Sequence, residues 1–101
     1  MDLDAIIHQP TRLKLMASLV ALNSDEVFDF PSLARFHKLT DGNLGAHLEK
    51  LESNGYIEIT KRFQGKKPRT EVRATMKGRA AFDSHTSALR QIIGDPSSNG
   101  A

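Results

Sequence analysis

Thr40-Asp41-Gly42-Asn43-Leu44-Gly45-Ala46-His47-Leu48-Glu49-Lys50-Leu51-Glu52-Ser53-Asn54-Gly55-Tyr56-Ile57 is the stretch from which the rest of the chain is organised. Leu44, Leu48 and Leu51 recur at helical spacing and form one apolar seam. Thr40 stands where a hydroxyl can accept from an otherwise unpaired first-turn amide, and Asp41 follows at the positive end of the helix dipole. Gly55 is a natural terminator, so the pattern predicts one helix over residues 40–54. On a helical wheel Gly42, Gly45, Ala46, Glu49 and Ser53 oppose the leucines, with Asn43 and Lys50 at one flank. Two glycines inside a helix cost about 1 kcal/mol each relative to alanine, and that cost calls for a reason. A face without side chains permits close approach, either to a neighbouring helix of the same chain or to the floor of a DNA major groove. Because these glycines look away from the seam, the groove is the preferred reading.

A basic segment follows at once. Lys61, Arg62, Lys66, Lys67, Arg69 and Arg73 face the single acid Glu71, so the remainder of a chain of net charge +2 carries about three net negative charges. One cationic patch on an acidic body favours a polyanionic partner at one surface. Residues 57–63 alternate apolar with polar, the period of a half-buried strand, and residues 70–74 return as a second. Residues 64–69 between them read as a hairpin tip with Gly65 and Pro68 as its turn residues. Phe63, the aromatic nearest the tip, is assigned to the core.

Upstream, residues 10–22 read as a helix opened by Pro10, with Leu13, Met16, Ala17 and Val20 on one apolar face and Leu15, Leu19 and Leu22 on another. A helix apolar on most of its circumference needs cover on more than one side. A very short strand is expected at residues 27–29, and a second helix over residues 31–36, burying Leu33 and Phe36. His37-Lys38-Leu39 then turns tightly into the helix at 40–54. Thr75 caps a final helix over residues 76–93, whose side bearing Phe82, His85, Leu89, Ile92 and Ile93 is a second candidate for cover. Residues 94–101 hold no large apolar group and are expected to be a disordered tail after a single domain over residues 1–93. A chain of 101 residues has room for one core and gains from burying further surface against a second copy. The expected dimer contact comprises Leu15, Leu19, Leu22, Phe82, His85, Leu89, Ile92 and Ile93.

The order helix, helix, helix, strand, turn, strand, helix closely resembles the small bacterial and archaeal winged-helix transcription regulators related to the MarR and ArsR groups. Residues 7–13, 39–52 and 54–57 and the segment Gly65-Lys66-Lys67-Pro68-Arg69-Thr70 carry the resemblance, which spans roughly residues 6–93. One departure is His37-Lys38, where relatives often carry glycine. The resemblance implies a mainly helical α+β fold, a winged helix-turn-helix with a two-stranded hairpin wing and a C-terminal helix. It also implies a homodimeric regulator of transcription, with repression the expected outcome, that reads double-stranded DNA by the 40–54 helix and clamps the backbone by the 61–73 wing. The residues expected at DNA are Thr40, Gly42, Asn43, Gly45, Ala46, His47, Lys50, Lys61, Arg62, Lys66, Lys67 and Arg69. Asn43 suits an adenine edge, and Lys50 suits a guanine or a phosphate. His47 is equally suited to DNA or to the core margin, and Glu49 is expected to turn from the groove towards a basic side chain.

Other classes find less support. Cysteine is absent, which removes thiolate metal sites, disulfides and a cysteine nucleophile. His8, His37, His47 and His85 are not at ligand spacing. No phosphate-binding loop or nucleophile–base arrangement suggests an enzyme, and no cofactor is implied. The acidic start and the lack of a long apolar run suggest neither a secretion signal nor a membrane span, and favour the cytoplasm. A small-molecule effector is compatible with a dimer interface but not indicated. The competing reading is a protein-interaction module that docks by the leucine-rich face of the first helix. RNA binding is weaker still, because no aromatics for base stacking are interleaved with the cations.

Overall fold

The computed structural model describes residues 2–94, so the expected disordered tail lies, from residue 95 onward, outside the described residues. The elements are α1 (Pro10–Val20), β1 (Phe28–Asp29), α2 (Phe30–His37), α3 (Asp41–Ser53), β2 (Ile57–Gln64), β3 (Lys67–Ala74) and α4 (Met76–Ile93). The three strands form one antiparallel sheet in the order β1-β3-β2. This is the expected winged helix, with β2 and β3 as the wing.

Caps set the helix boundaries. The Gln9 side chain accepts from the Arg12 amide at 2.8 Å ahead of α1, and Asp29 accepts from Ser32 at 2.8 Å ahead of α2. Thr40 and Thr75 cap α3 and α4 by accepting from the amides of Asn43 and Gly78. Helix α1 ends two residues short of Leu22, and the Arg79 guanidinium of α4 closes that end by donating to the carbonyls of Val20 and Leu22 at 3.1 Å each. Between α2 and α3, Lys38 occupies the left-handed region at φ 54°, a conformation that costs a side-chain-bearing residue about 1–2 kcal/mol. That is the turn at which the resemblance leads to an expectation of glycine and the chain carries His37-Lys38 instead.

Leu44, Leu48 and Leu51 of α3 are buried together with Leu15, Met16 and Leu19 of α1, Leu33 of α2 and Ile57, Val72 and Ala74 of the sheet. Helix α1 lies against α3, α4 and β3, so both of its apolar sides are used inside the chain. Leu15 and Leu19, expected to face a partner, are fully buried and cannot do so. Ala17, placed on a core face by its spacing, is instead exposed. Phe36 is also corrected: it is 65 % exposed, because Leu33 and Ala34 take the inward direction of α2. Its ring leans on Phe28 and His37, with centroids 5.8 and 5.0 Å away.

The N-terminal arm is a second fastening. The Asp4 carboxylate accepts from the amides of Ile6 and Ile7 and from the Tyr56 hydroxyl, while the Asp4 amide donates to Nδ1 of His85 at 2.9 Å. This arm therefore joins the turn after α3 to the middle of α4. Helix α4 approaches that turn closely at Gly78, where a Cβ would overlap the Tyr56 carbonyl. Gly78→Ala should force the start of α4 off the turn and lower stability by about 1–3 kcal/mol in denaturant unfolding. A change below a few tenths would show that α4 shifts freely.

Candidate nucleic-acid interface

The leucine seam of α3 points into the core, so the helical period turns Gly42, Asn43, Ala46, Glu49 and Lys50 to the surface. A Cβ placed on Gly42 or Gly45 would meet nothing within 4 Å. Close packing on another helix therefore explains neither glycine. Gly42 is exposed and Gly45 half-buried at the groove beside the wing, both beneath open space, at a cost in helix propensity that the fold itself does not require. Thr40, expected among the DNA-facing residues, already uses its hydroxyl as the cap of α3. The carbonyl of Lys50 accepts from Ser53 and Asn54, and its side chain stands exposed.

His47 lies at the edge of this face, half-buried, with Nδ1 3.3 Å from Nη1 of Arg12. Burial and then the neighbouring guanidinium hold its pKa below the ordinary imidazole value. Arg12 also donates from Nε to the Ile6 carbonyl at 2.6 Å, and so fastens the N-terminal arm behind α3. Spacing gave no reason to single out Arg12, Asp4 or Arg79, since each works through a contact distant in sequence.

The wing divides its charges between two faces. Strand pairing aligns Glu58 with Arg73, Thr60 with Glu71 and Arg62 with Arg69 on the outer face. There Glu71 receives Arg62 at 3.2 Å and Arg69 at 2.9 Å, Arg69 approaches Asp29 at 3.7 Å, and Arg73 approaches Glu58 at 3.8 Å. Glu71 thus relieves the repulsion of two arginines directly opposite each other. Among the described residues Lys61, Lys66 and Lys67 make no ion pair, and all three are exposed. The tip is narrower than the sequence suggests. Gly65, at φ 66°, and Lys66 form the turn, while Pro68 lies in β3 opposite Phe63. Phe63 is 75 % exposed, not part of the core.

Between α3 and the wing runs an open groove of about 700 Å³, floored by Phe30, Leu48 and Ile59. Glu49 and Glu52 line it from the helix and Lys61 from the strand, so Glu49 turns towards the wing.

The residues expected at a dimer contact differ in burial. His85, like Leu15 and Leu19, is buried within the chain: its Nδ1 is taken by the Asp4 amide and its Nε2 has no partner among the described residues. Leu22 and Phe82 are half-buried, Phe82 packing on the core. At the end of α4, Leu89 is half-buried while Ile92 and Ile93 are 65 % and 70 % exposed. No helix among the described residues is long and apolar enough to cross a membrane.

A four-helix chain with this hairpin and an open-faced third helix has the architecture of a winged-helix DNA-binding protein. Residues 11–93 match the family model described as a winged helix DNA-binding domain, and the chain belongs to that family. It is a winged-helix DNA-binding transcription regulator. It is 36 % identical over 87 residues to an uncharacterised protein of Methanocaldococcus jannaschii, a match that covers 86 % of this chain and 91 % of that one. Its structure is similar to that of a transcriptional regulator homologue from Pyrococcus horikoshii OT3, with a TM-score of 0.79, 31 % identity and coverage of 87 % and 84 % of the two chains. It also shares the fold of S. aureus MepR solved in complex with DNA, with a TM-score of 0.72, 16 % identity and coverage of 94 % and 75 %.

Two expectations follow from the geometry. Gly45→Ala should stabilise the chain by roughly 0.5–1 kcal/mol, since a methyl group meets no obstacle and favours helix. The same substitution should weaken DNA binding, and a variant that gained stability without losing affinity would show that this face does not contact DNA. Acidification should destabilise the fold. Burial holds His37, His47 and His85 below the ordinary imidazole value of 6.5, with Lys14, Arg12 and His8 as the respective secondary causes. The unfolded chain therefore binds more protons below that value, so stability present above it is lost as pH falls through the lowered folded-state values. The thermal midpoint should drop between about pH 7.5 and about pH 5.5. An unchanged midpoint would exclude these imidazoles as the source.

Proposed function

We propose that the chain acts in the cytoplasm as a homodimeric, sequence-specific regulator, with α3 in the major groove and the wing on the adjoining backbone. The observation that carries this reading is the unobstructed space over Gly42 and Gly45, beside a hairpin with three exposed lysines that make no ion pair among the described residues. Asn43 and Lys50 flank the low face and supply hydrogen-bonding groups for base edges, Asn to adenine and Lys to guanine. Lys61, Lys66 and Lys67 supply the phosphate contacts. Arg62 and Arg69 contribute less, because each must first share or leave Glu71. The MepR structure, solved with DNA, supports a duplex as the partner of this fold.

The second copy is assigned to the end of α4, where Leu89, Ile92 and Ile93 offer apolar surface. Two-fold symmetry then calls for a roughly palindromic operator with half-sites about one helical turn, or a multiple, apart. Repression follows most simply, by occupying a promoter. The competing docking reading loses its basis, since the leucine face of α1 on which it rested is buried.

A fluorescence-anisotropy titration with duplex from upstream of the protein's own gene, across salt and with scrambled competitor, tests the reading. Binding should survive competitor and weaken steeply with salt. Lys66→Ala together with Lys67→Ala should flatten the logarithmic salt slope by about 0.9 per lost phosphate contact, on every sequence alike. An unaltered slope would remove the wing from the interface. Failure of the wild-type chain to bind any duplex at low salt would overturn the whole reading.

A further inference from the structure

Phe63 is a large apolar group that the fold leaves 75 % exposed on the wing, among the exposed Lys61, Lys66 and Lys67. Along the inner face of the wing the cross-strand pairs run Ile57 with Ala74, Ile59 with Val72, Lys61 with Thr70 and Phe63 with Pro68. The first two pairs lie over the core, except that Ile59 is only partly covered. Lys61 and Thr70 still face α3 across the open groove, and the inward parity continues past them to Phe63 and Pro68. Phe63 and Pro68 therefore stand side by side on the face that borders the α3 groove, one residue pair from Gln64 and Lys67 at the turn. Both are exposed, and Phe63 stacks on no aromatic ring among the described residues.

The charge around this pair selects its partner. Lys61 precedes it on the same face, and Lys66 and Lys67 stand at the tip, all without ion pairs among the described residues. The arginines are held on the outer face by Glu71 and Glu58. An apolar partner surface would leave these ammonium groups uncompensated. A duplex supplies phosphates at the edges of a groove and an apolar interior between stacked bases. Proline and a phenyl ring are both stiff, so little conformational freedom is lost when they enter it.

We propose that the Phe63–Pro68 pair is an apolar wedge that enters the minor groove and partly unstacks one base step, bending the duplex towards the major groove. The proposal rests on the DNA-binding reading above and adds to it a source of specificity. Unstacking is easiest at flexible pyrimidine–purine steps, so the wing selects TA or CA/TG at a fixed distance from the bases beneath α3. Apolar wedges of this kind bend DNA by about 20–90°. The lysines on either side neutralise the phosphates that the bend draws together.

The test uses duplexes that the wild-type chain retains from a randomised library at low salt, labelled at both ends for energy transfer and carrying 2-aminopurine at successive steps. Wild-type binding should raise 2-aminopurine emission at one pyrimidine–purine step and shorten the end-to-end distance. Phe63→Ala should melt as the wild type does and keep the salt slope, but lose both signals and bind roughly tenfold more weakly. Phe63→Leu should retain part of the bend, and Pro68→Ala should reduce it without abolishing binding. Binding of the wild type to straight, fully stacked DNA would overturn the wedge while leaving the DNA reading intact. So would equal emission and distance for wild type and Phe63→Ala. Retention of no duplex at all would overturn the DNA reading, and the wedge with it.

Discussion

Burial of Leu44, Leu48 and Leu51 against Leu15, Met16 and Leu19 fixes the rotation of α3 about its own axis, and the external surface follows from that rotation. A helix cannot turn one face inward without assigning the opposite face to solvent. Gly42, Gly45 and Ala46 are therefore outside because three leucines are inside. Each buried leucine contributes about 1.5–3 kcal/mol of transfer free energy, which exceeds the roughly 1 kcal/mol that either glycine costs. The core can thus carry a face that is poor in helix propensity and open to a partner. Lys38 is a smaller instance of the same balance: its left-handed backbone is held where α2 must turn abruptly into α3.

The N-terminal arm and α4 complete the setting of that helix from behind. Asp4 gathers the amides of Ile6 and Ile7, the Tyr56 hydroxyl and, through its own amide, His85. Burial opposes the Asp4 charge, but the hydrogen bonds from Tyr56, Ile7 and Ile6 outweigh it and lower its pKa; the Tyr56 hydroxyl is correspondingly pushed up to about 12. Protonating His85 would set an N–H at Nδ1 against the Asp4 amide, two donors face to face. The neutral imidazole is thus part of the fastening, and Arg12 carries the same arm across to His47 on α3.

In the wing, charge count and charge availability differ. Six cations lie between residues 61 and 73, but Glu71, Asp29 and Glu58 hold the three arginines on the outer face. The lysines that remain occupy the tip and the inner face, next to the exposed Phe63–Pro68 pair. The hairpin is therefore two-sided: ion-paired and stiffened on the outer face, with Lys61 and the apolar Phe63–Pro68 pair on the inner face and Lys66 and Lys67 at the tip.

Local signals were legible in the sequence because they rest on spacing and on contacts between near neighbours. The leucine seam, the Thr40 and Thr75 caps, the terminating Gly55 and the strand alternation all fall within a few residues, and each reappears in the fold. The order of elements and the low face of α3 followed from them. Periodicity identified α1 as apolar on two sides but gave no means of telling a partner's cover from the chain's own. Packing decided that, burying Leu15, Leu19 and His85 and leaving Ile92 and Ile93 exposed. Phe36 and Phe63 depart from their expected burial for a related reason: hydrophobicity records a preference for burial, whereas available space depends on where the core ends. Arg12, Arg79, Asp4 and the close approach at Gly78 join residues distant in sequence. The sequence by itself determined the elements and the direction each helix face prefers, because those preferences are local. Only the tertiary structure decided which faces found cover and which charges found partners, because both depend on residues brought together from afar.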